Sequence, residues 1–299
     1  QGTATATITP AELTASATRQ YDGTAVIDGQ VIIITGLNGA EEFTASGQLN
    51  LTSKHITSGP VNPGDVSGLA LTGVNGALVT NYQPLAEART TVTVTPYIVQ
   101  IEAPSVSKTY DGSAIYKLAQ QDLDALTNQL VGSDFVLDAE MSFANANVSR
   151  DVNGIERNDR VVTLDSIDIQ DGNNGNNYSF TLAGNNTSEI LGASLTVTPV
   201  NDAKLLDQPD DTNYRGLIYS GFVAGEDETV FGGTLPTIGR EAGETVGSYA
   251  LTASGGSANN YNITYEAGAY NILAADSFLV RVDANSQPTE YGSQASFAG

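Results

Sequence analysis

Apolar and polar residues alternate with a period of two along most of this chain. Val92 and Val94 are framed by Thr91, Thr93 and Thr95, and Leu195 and Val197 alternate with Thr196 and Thr198. This is the pattern of a half-buried strand, and threonine, being β-branched, suits the outer face of one. Pro10, Pro96 and Pro199 close such stretches because proline has no N–H for a ladder. Asp22-Gly23 and Asp111-Gly112 read as two-residue hairpin turns, where positive φ favours Asp and then Gly. The period changes once. Between Tyr116 and Leu130, residues Leu118, Leu123, Leu126 and Leu130 recur near helical spacing and predict a short surface helix.

The alternating stretches recur in a fixed order. A Tyr-plus-Gly turn appears at Tyr21-Asp22-Gly23, Tyr110-Asp111-Gly112, Tyr214-Arg215-Gly216 and Tyr291-Gly292. An Asn-Tyr pair ends a Gly/Asn-rich turn at Asn81-Tyr82, Asn177-Tyr178 and Asn260-Tyr261. Each pair precedes an alternating stretch: 91–96, then 195–199, then 269–273. Kept order and period indicate a tandem array of small domains. The repeats run 10–96, 97–199 with the helical insertion, and 200–274. Residues 1–9 read as the closing strand of a preceding repeat, and 275–299 as the opening of a further one. With almost no linker between repeats, neighbours should abut. The expected fold is all-β to mainly β: two-layer modules, β-grasp-like or immunoglobulin-like, in an elongated rod with one short helix.

Composition narrows the chemistry. The 299 residues hold 34 acidic and 12 basic side chains, one histidine, and no cysteine or tryptophan. Thiol nucleophiles, disulfides and cysteine-ligated metals are thereby excluded, and His55 alone cannot furnish a multi-histidine zinc site. A net charge of −22 repels phosphate backbones and anionic headgroups, so nucleic acid is a poor partner. No apolar run approaches 18 residues, so no membrane insertion is expected.

The repeated residues carry a resemblance. Tyr-Asp-Gly-Thr/Ser, a segment such as 63–73, then Asn-Tyr and a Val-Thr-Pro close resemble the YDG repeat of bacterial surface adhesins. Residues 220–226, 247–251 and 260–263 resemble the related MBG domain of YGX type, and Tyr291-Gly292-Ser293 opens another of that kind. The resemblance implies a secreted stalk of β domains without enzymatic activity, as in filamentous-haemagglutinin-like biofilm adhesins exported by two-partner secretion. Its partners would be adjacent repeats of the same chain, with extracellular polysaccharide or another cell's surface as the alternative ligand. Arg215 departs from the Asp of the first two turns.

Each motif also has a folding explanation. Tyr21, Asp22 and Gly23 read as a strand end, a tight turn and a packed ring; in the Asn-Tyr pairs, Asn tolerates left-handed backbone and Tyr anchors a corner. Asp165, Asp168, Asp171 and Asn173 form the one cluster with calcium chemistry, through hard oxygen donors, although their spacing fails the EF-hand pattern. Three residues apart on a strand, Asp165 and Asp168 should face opposite sides. Otherwise no cofactor is expected. Asp207, Asp210, Asp211 and Glu226-Asp227-Glu228 read as solvated loops, and His55 as an exposed loop residue.

Overall fold

The structure, a computed structural model, describes residues 6–280. Residues 1–5 of the expected first closing strand and Tyr291-Gly292-Ser293 lie outside the described residues, and residues 6–9 form no strand. The fold is mainly β with a single α-helix among those residues, as the period-two pattern predicts.

Up to Pro96 the strands are β1 (Thr14–Gln20), β2 (Val26–Asp28), β3 (Ile33–Thr35), β4 (Glu42–Asn50), β5 (Leu69–Val74) and β6 (Thr90–Thr95). They form two sheets, in the orders β3-β1-β6 and β2-β4-β5. The predicted alternation in β6 is real: Val92 and Val94 are buried and the threonines between them are partly exposed. Ala15 and Ala17 of β1 are buried, as are Ile27, Ala45 and Leu49 of the second sheet.

The next segment holds β7 (Tyr97–Glu102), β8 (Ser107–Thr109), β9 (Ile115–Tyr116), α1 (Gln120–Thr127), β10 (Phe135–Phe143), β11 (Arg160–Gln170), β12 (Tyr178–Ala183) and β13 (Asn185–Leu191). The sheet order is β8-β13-β11-β10-β9, with β7 and β12 forming a parallel pair. The helix is shorter than the Leu pattern suggests because its ends are fixed locally. Asp122 accepts the Ala119 N–H at 2.8 Å and so holds the first turn, as an acidic residue at the third helical position does in a capping box. Leu126 is fully buried, so only part of the helix surface faces water.

The last segment holds β14 (Ala193–Pro199), β15 (Asp202–Leu205), β16 (Leu217–Ser220), β17 (Thr237–Arg240), β18 (Gly247–Ser254), β19 (Tyr261–Tyr265) and β20 (Gly268–Leu273). Its sheets are β16-β14-β19 and β15-β20-β18-β17. Leu195–Pro199, which the sequence pattern presents as a closing stretch, is hydrogen-bonded in parallel to β19 and antiparallel to β16.

One backbone contact recurs in all three segments. The N–H groups of Ala11, Tyr97 and Ala193 donate to the carbonyls of Asn81, Asn177 and Asn260, at 3.0, 2.9 and 3.0 Å. Each Asn-Tyr pair therefore starts a parallel pairing with the strand that opens its segment. Farther along, β1 runs parallel to β6 and β15 parallel to β20.

The Asp-Gly turns are not hairpins. Strand β1 pairs with β3 and β6, whereas β2 pairs with β4, so the chain changes sheets at Asp22-Gly23. Likewise β8 and β9 are not neighbours in their sheet. Gly23 and Gly112 do adopt positive φ, +80° and +78°. Asp22 closes its own turn by accepting the Thr24 N–H and hydroxyl, both at 2.8 Å. The local chemistry was legible, but which strands pair is decided by distant partners.

The chain divides into two compact units. The first comprises residues up to Lys108, Ser113–Ser149 and Arg157–Glu189; the second comprises Thr109–Gly112, Arg150–Glu156 and residues from Ile190 on.

Candidate functional site

In the first unit, the end of β1 delivers Tyr21 into a buried polar cluster. The Tyr21 N–H bonds the Thr95 carbonyl at the end of β6, which fixes where the ring leaves the strand. Its hydroxyl donates to Oδ2 of Asp134 at 2.8 Å, and Tyr178 donates to the same oxygen at 2.8 Å. Lys54 Nζ binds the other oxygen at 2.9 Å. Asp134 is only 5% exposed, so its charge is sustained by two phenols and one ammonium in place of water. The Tyr21 and Tyr178 rings meet edge to face, 5.7 Å apart at 71°. Burial, foremost, and the adjacent carboxylate raise the Tyr178 hydroxyl above the ordinary tyrosine range.

Asp134 sits at the end of a turn. Its N–H bonds the Val131 carbonyl at 3.4 Å, and the Val131 N–H donates to the Tyr178 hydroxyl at 3.1 Å. The Tyr-Asp-Gly turn seats against this one: a Cβ added to Gly23 would lie 2.8 Å from the Gly132 Cα. His55 completes the cluster. It is half-buried, with Nδ1 2.9 Å from Asn177 Nδ2, and Asn177 Oδ1 accepts the Ile56 N–H at 3.1 Å. The expectation of an exposed histidine loop thus fails, because Lys54, His55 and Ile56 are held by the acid and the amide.

The second unit contains the same arrangement. Tyr110, whose N–H bonds the Leu191 carbonyl, donates its hydroxyl to Oε1 of Glu226 at 2.5 Å. Tyr261 donates to Oε2 of the same carboxylate. The rings meet edge to face at 5.7 Å and 72°. Glu226 closes a turn on the Val223 carbonyl at 2.9 Å, and the Val223 N–H donates to the Tyr261 hydroxyl at 2.9 Å. Arg150 instead braces the residues on either side of the Asn-Tyr pair, binding the Asn259 carbonyl at 2.7 Å and Asn262 Oδ1 at 2.8 Å. Glu226, expected to be solvated, is instead the shared acceptor, because two phenols converge on it.

Residues 195–271 match the MBG domain (YGX type). The MBG match opens on β14 and ends within β20, so it spans the parallel pairings of that segment. Comparison with curated proteins and with solved structures finds no match.

Within the MBG segment Tyr214 behaves differently from Tyr21 and Tyr110. Held at φ +46°, it packs edge to face on Tyr270 of the same segment at 5.6 Å. The residue whose N–H meets the end of the parallel pairing, as Tyr21 and Tyr110 do, is Leu206, bonded to the Leu273 carbonyl at 2.8 Å. Asp210 also departs from a solvated loop. It binds Lys204 at 2.8 Å, Arg240 at 2.9 Å and the Tyr270 hydroxyl at 3.1 Å. Burial works against its charge, but these donors outweigh burial and hold the carboxyl below the usual range. The Arg240 guanidinium lies over the Tyr270 ring at 5.1 Å, so this cluster locks the segment's interior.

The calcium-type residues do not converge. Asp165 accepts the Thr163 hydroxyl at 2.7 Å and Asp168 the Gln170 amide at 2.9 Å; both are exposed. They do not alternate as an unbroken strand would require, because β11 carries an irregularity: Ser166 pairs with Glu140 and Leu164 with Met141, leaving Asp165 as the extra residue. Asp171 is buried and turns inward, accepting the N–H groups of Asn173, Gly175 and Asn177 at 2.7, 2.9 and 3.0 Å. Its role is to shape the loop that presents Asn177 and Tyr178. Among the described residues no group of three or more His, Asp or Glu side chains is placed to hold a metal ion. No helix among them is long and apolar enough to cross a membrane.

A cavity of about 660 Å³ lies in the first segment, lined by Leu69, Leu71, Val79, Tyr82, Pro84 and Leu85 among others. It contains one aromatic ring. The sequence signalled both phenols of each cluster but neither acceptor, since Asp134 and Glu226 lie at different distances from their Tyr-Asp-Gly turns.

Proposed function

We propose that this chain is a stalk or spacer segment of a bacterial extracellular adhesin, acting in cell–cell or biofilm-matrix adhesion and without enzymatic activity. The observation that supports this most is the repeated joint: twice, the tyrosine of a Tyr-Asp-Gly turn and that of an Asn-Tyr pair share one carboxylate. A shared carboxylate of this kind resists separation of the strand ends whose phenols it holds, which suits an array that must bear force. The match of residues 195–271 to the MBG domain is compatible with a repeat of a surface protein. The large negative charge would limit association between neighbouring stalks. Calcium is not needed for this role.

Small-angle scattering tests the spacer reading. Three segments of ~35 Å each, end to end, give a radius of gyration near ~30 Å, against ~19 Å for a compact chain of this length. The lower value overturns a spacer. The second reading, that the repeats themselves bind polysaccharide, predicts that micromolar soluble chain competes with the parent adhesin in cell aggregation. The expected result is no competition, with or without calcium, since the cavity of the first segment offers a sugar face one aromatic ring, Tyr82.

A further inference from the structure

The first segment builds the same receiving turn. Glu41 closes a turn on the Asn38 carbonyl at 3.2 Å, and the Asn38 N–H donates to the Tyr82 hydroxyl at 2.8 Å. Tyr82 in turn donates to Oε2 of Glu41. Position for position, Asn38, Glu41 and Tyr82 stand where Val131, Asp134 and Tyr178 stand in the first joint, and where Val223, Glu226 and Tyr261 stand in the second. Each of these tyrosines also carries an edge-to-face ring, though from a different place in the chain: Phe43 on Tyr82 at 5.2 Å, Tyr97 on Tyr178 at 5.9 Å and Phe222 on Tyr261 at 6.0 Å.

What differs is the guest. Asp134 and Glu226 each receive a second phenol, whereas among the described residues Glu41 receives only Tyr82. The turn glycine of the first joint is covered by its guest, whereas Gly225 of the second joint and Gly39 both have open space around them. A Cβ on Gly132 would meet the Gly23 Cα of the docked turn at 3.0 Å; on Gly39 it would meet no atom within 4 Å. Exposure alone does not separate the sites, since Asp134 is buried while Glu226 and Glu41 are both half-buried.

We propose that Asn38, Gly39, Glu41 and Tyr82 form a docking site for the Tyr-Asp-Gly-type turn of a further repeat of this kind. The incoming hydroxyl would donate to Glu41, and its ring would meet Tyr82 edge to face. Recognition is chemical: an aromatic ring fits the apolar face of Tyr82, a phenol supplies the proton the carboxylate still accepts, and a glycine backbone lies flat on Gly39. The inference does not depend on the stalk reading, because an array of binding modules would be joined in the same way.

The test uses the whole chain, isotopically labelled, and a backbone-cyclised peptide with the sequence Thr18–Val26. Titration should shift the amide signals of residues 38–43 and 82, with a dissociation constant at or below the millimolar range. A peptide carrying Tyr21→Phe should bind about tenfold more weakly, the loss of one charge-assisted hydrogen bond. The Glu41→Gln chain should lose affinity for the tyrosine peptide but not for the phenylalanine one. Absence of shifts at about 5 mM peptide, shifts confined to other residues, or equal affinity of the two peptides would each overturn the proposal. Failure here leaves the scattering test of the stalk untouched, and failure of the scattering test leaves this site in place.

Discussion

Tyr21 and Tyr178 donate their hydroxyls to a single oxygen, Oδ2 of Asp134, each at 2.8 Å, although 157 positions separate them in the sequence. The arrangement works because Asp134 is buried and Lys54 occupies its other oxygen. Tyr21→Phe should therefore cost about 1.5 to 3 kcal/mol, the worth of a hydrogen bond to a charged group. Asp134→Ala should cost more, about 3 to 5 kcal/mol, because the ammonium and two phenols lose their acceptor together. Urea unfolding of the two variants and of the double variant checks this. The double variant should be no worse than Asp134→Ala alone, since the partners act as one cluster.

Alkaline pH should loosen the second joint. Burial first, and then Glu226, push the Tyr261 hydroxyl up to about 12, and Glu226 followed by burial raises that of Tyr110. An unfolded tyrosine ionises near ~10. Below that value the stabilisation is fully present; above it the unfolded chain releases protons that the folded chain retains, so stability falls as pH rises through about 12. Ultraviolet titration of the chain against its Tyr110→Phe and Tyr261→Phe variants should show that these two tyrosines ionise late and together with unfolding. Glu226→Gln should bring both ionisations earlier.

How much of this was legible follows from range. Strand alternation in β6 and β14, the Asp-Gly turns and the Asn-Tyr corners are local matters of φ and side-chain period, and the sequence displays them. The joints depend on which carboxylate two distant phenols meet. Glu226 sits in an acidic run that resembles a solvated loop, and Asp134 has no acidic neighbour to draw notice. Likewise Tyr214 carries the sequence signature of Tyr21, yet it packs on Tyr270 in its own segment, where Leu206 takes the strand-end position. A motif specifies a turn; the surface it meets specifies the role.

Acid should act on a different residue. Burial raises the cost of charging Asp171, yet the N–H groups of Gly175, Asn173 and Asn177 more than offset it, and its carboxyl lies below the usual range. An unfolded aspartate titrates near ~3.9, so the stabilisation is complete above that value and is lost as pH falls through the folded value. Asp171→Asn should destabilise the chain at neutral pH and flatten its stability profile below about pH 4. Carbon-detected titration of the carboxyl in the intact chain checks the direction: it should remain ionised to lower pH than an unfolded aspartate.

Gly23 and Gly39 separate backbone strain from docking. Both hold positive φ, +80° and +61°, so alanine at either position costs about 1 to 2 kcal/mol in left-handed backbone. At Gly39 that is the whole expectation, since a methyl group there meets nothing within 4 Å. At Gly23 the methyl group would lie 2.8 Å from the Gly132 Cα and 3.4 Å from the Val131 carbonyl oxygen. Backbone cannot rotate aside as a flexible side chain can, so the two turns must separate, and the Tyr21 hydroxyl would be drawn away from Asp134 with them. Gly23→Ala should accordingly destabilise more than Gly39→Ala, and the excess should shrink in a Tyr21→Phe background, where that hydrogen bond is already gone and only the clash remains. Equal costs for the two alanines in the intact chain would mean that the turn does not bear on Gly132, and the joint would then rest on the phenols alone.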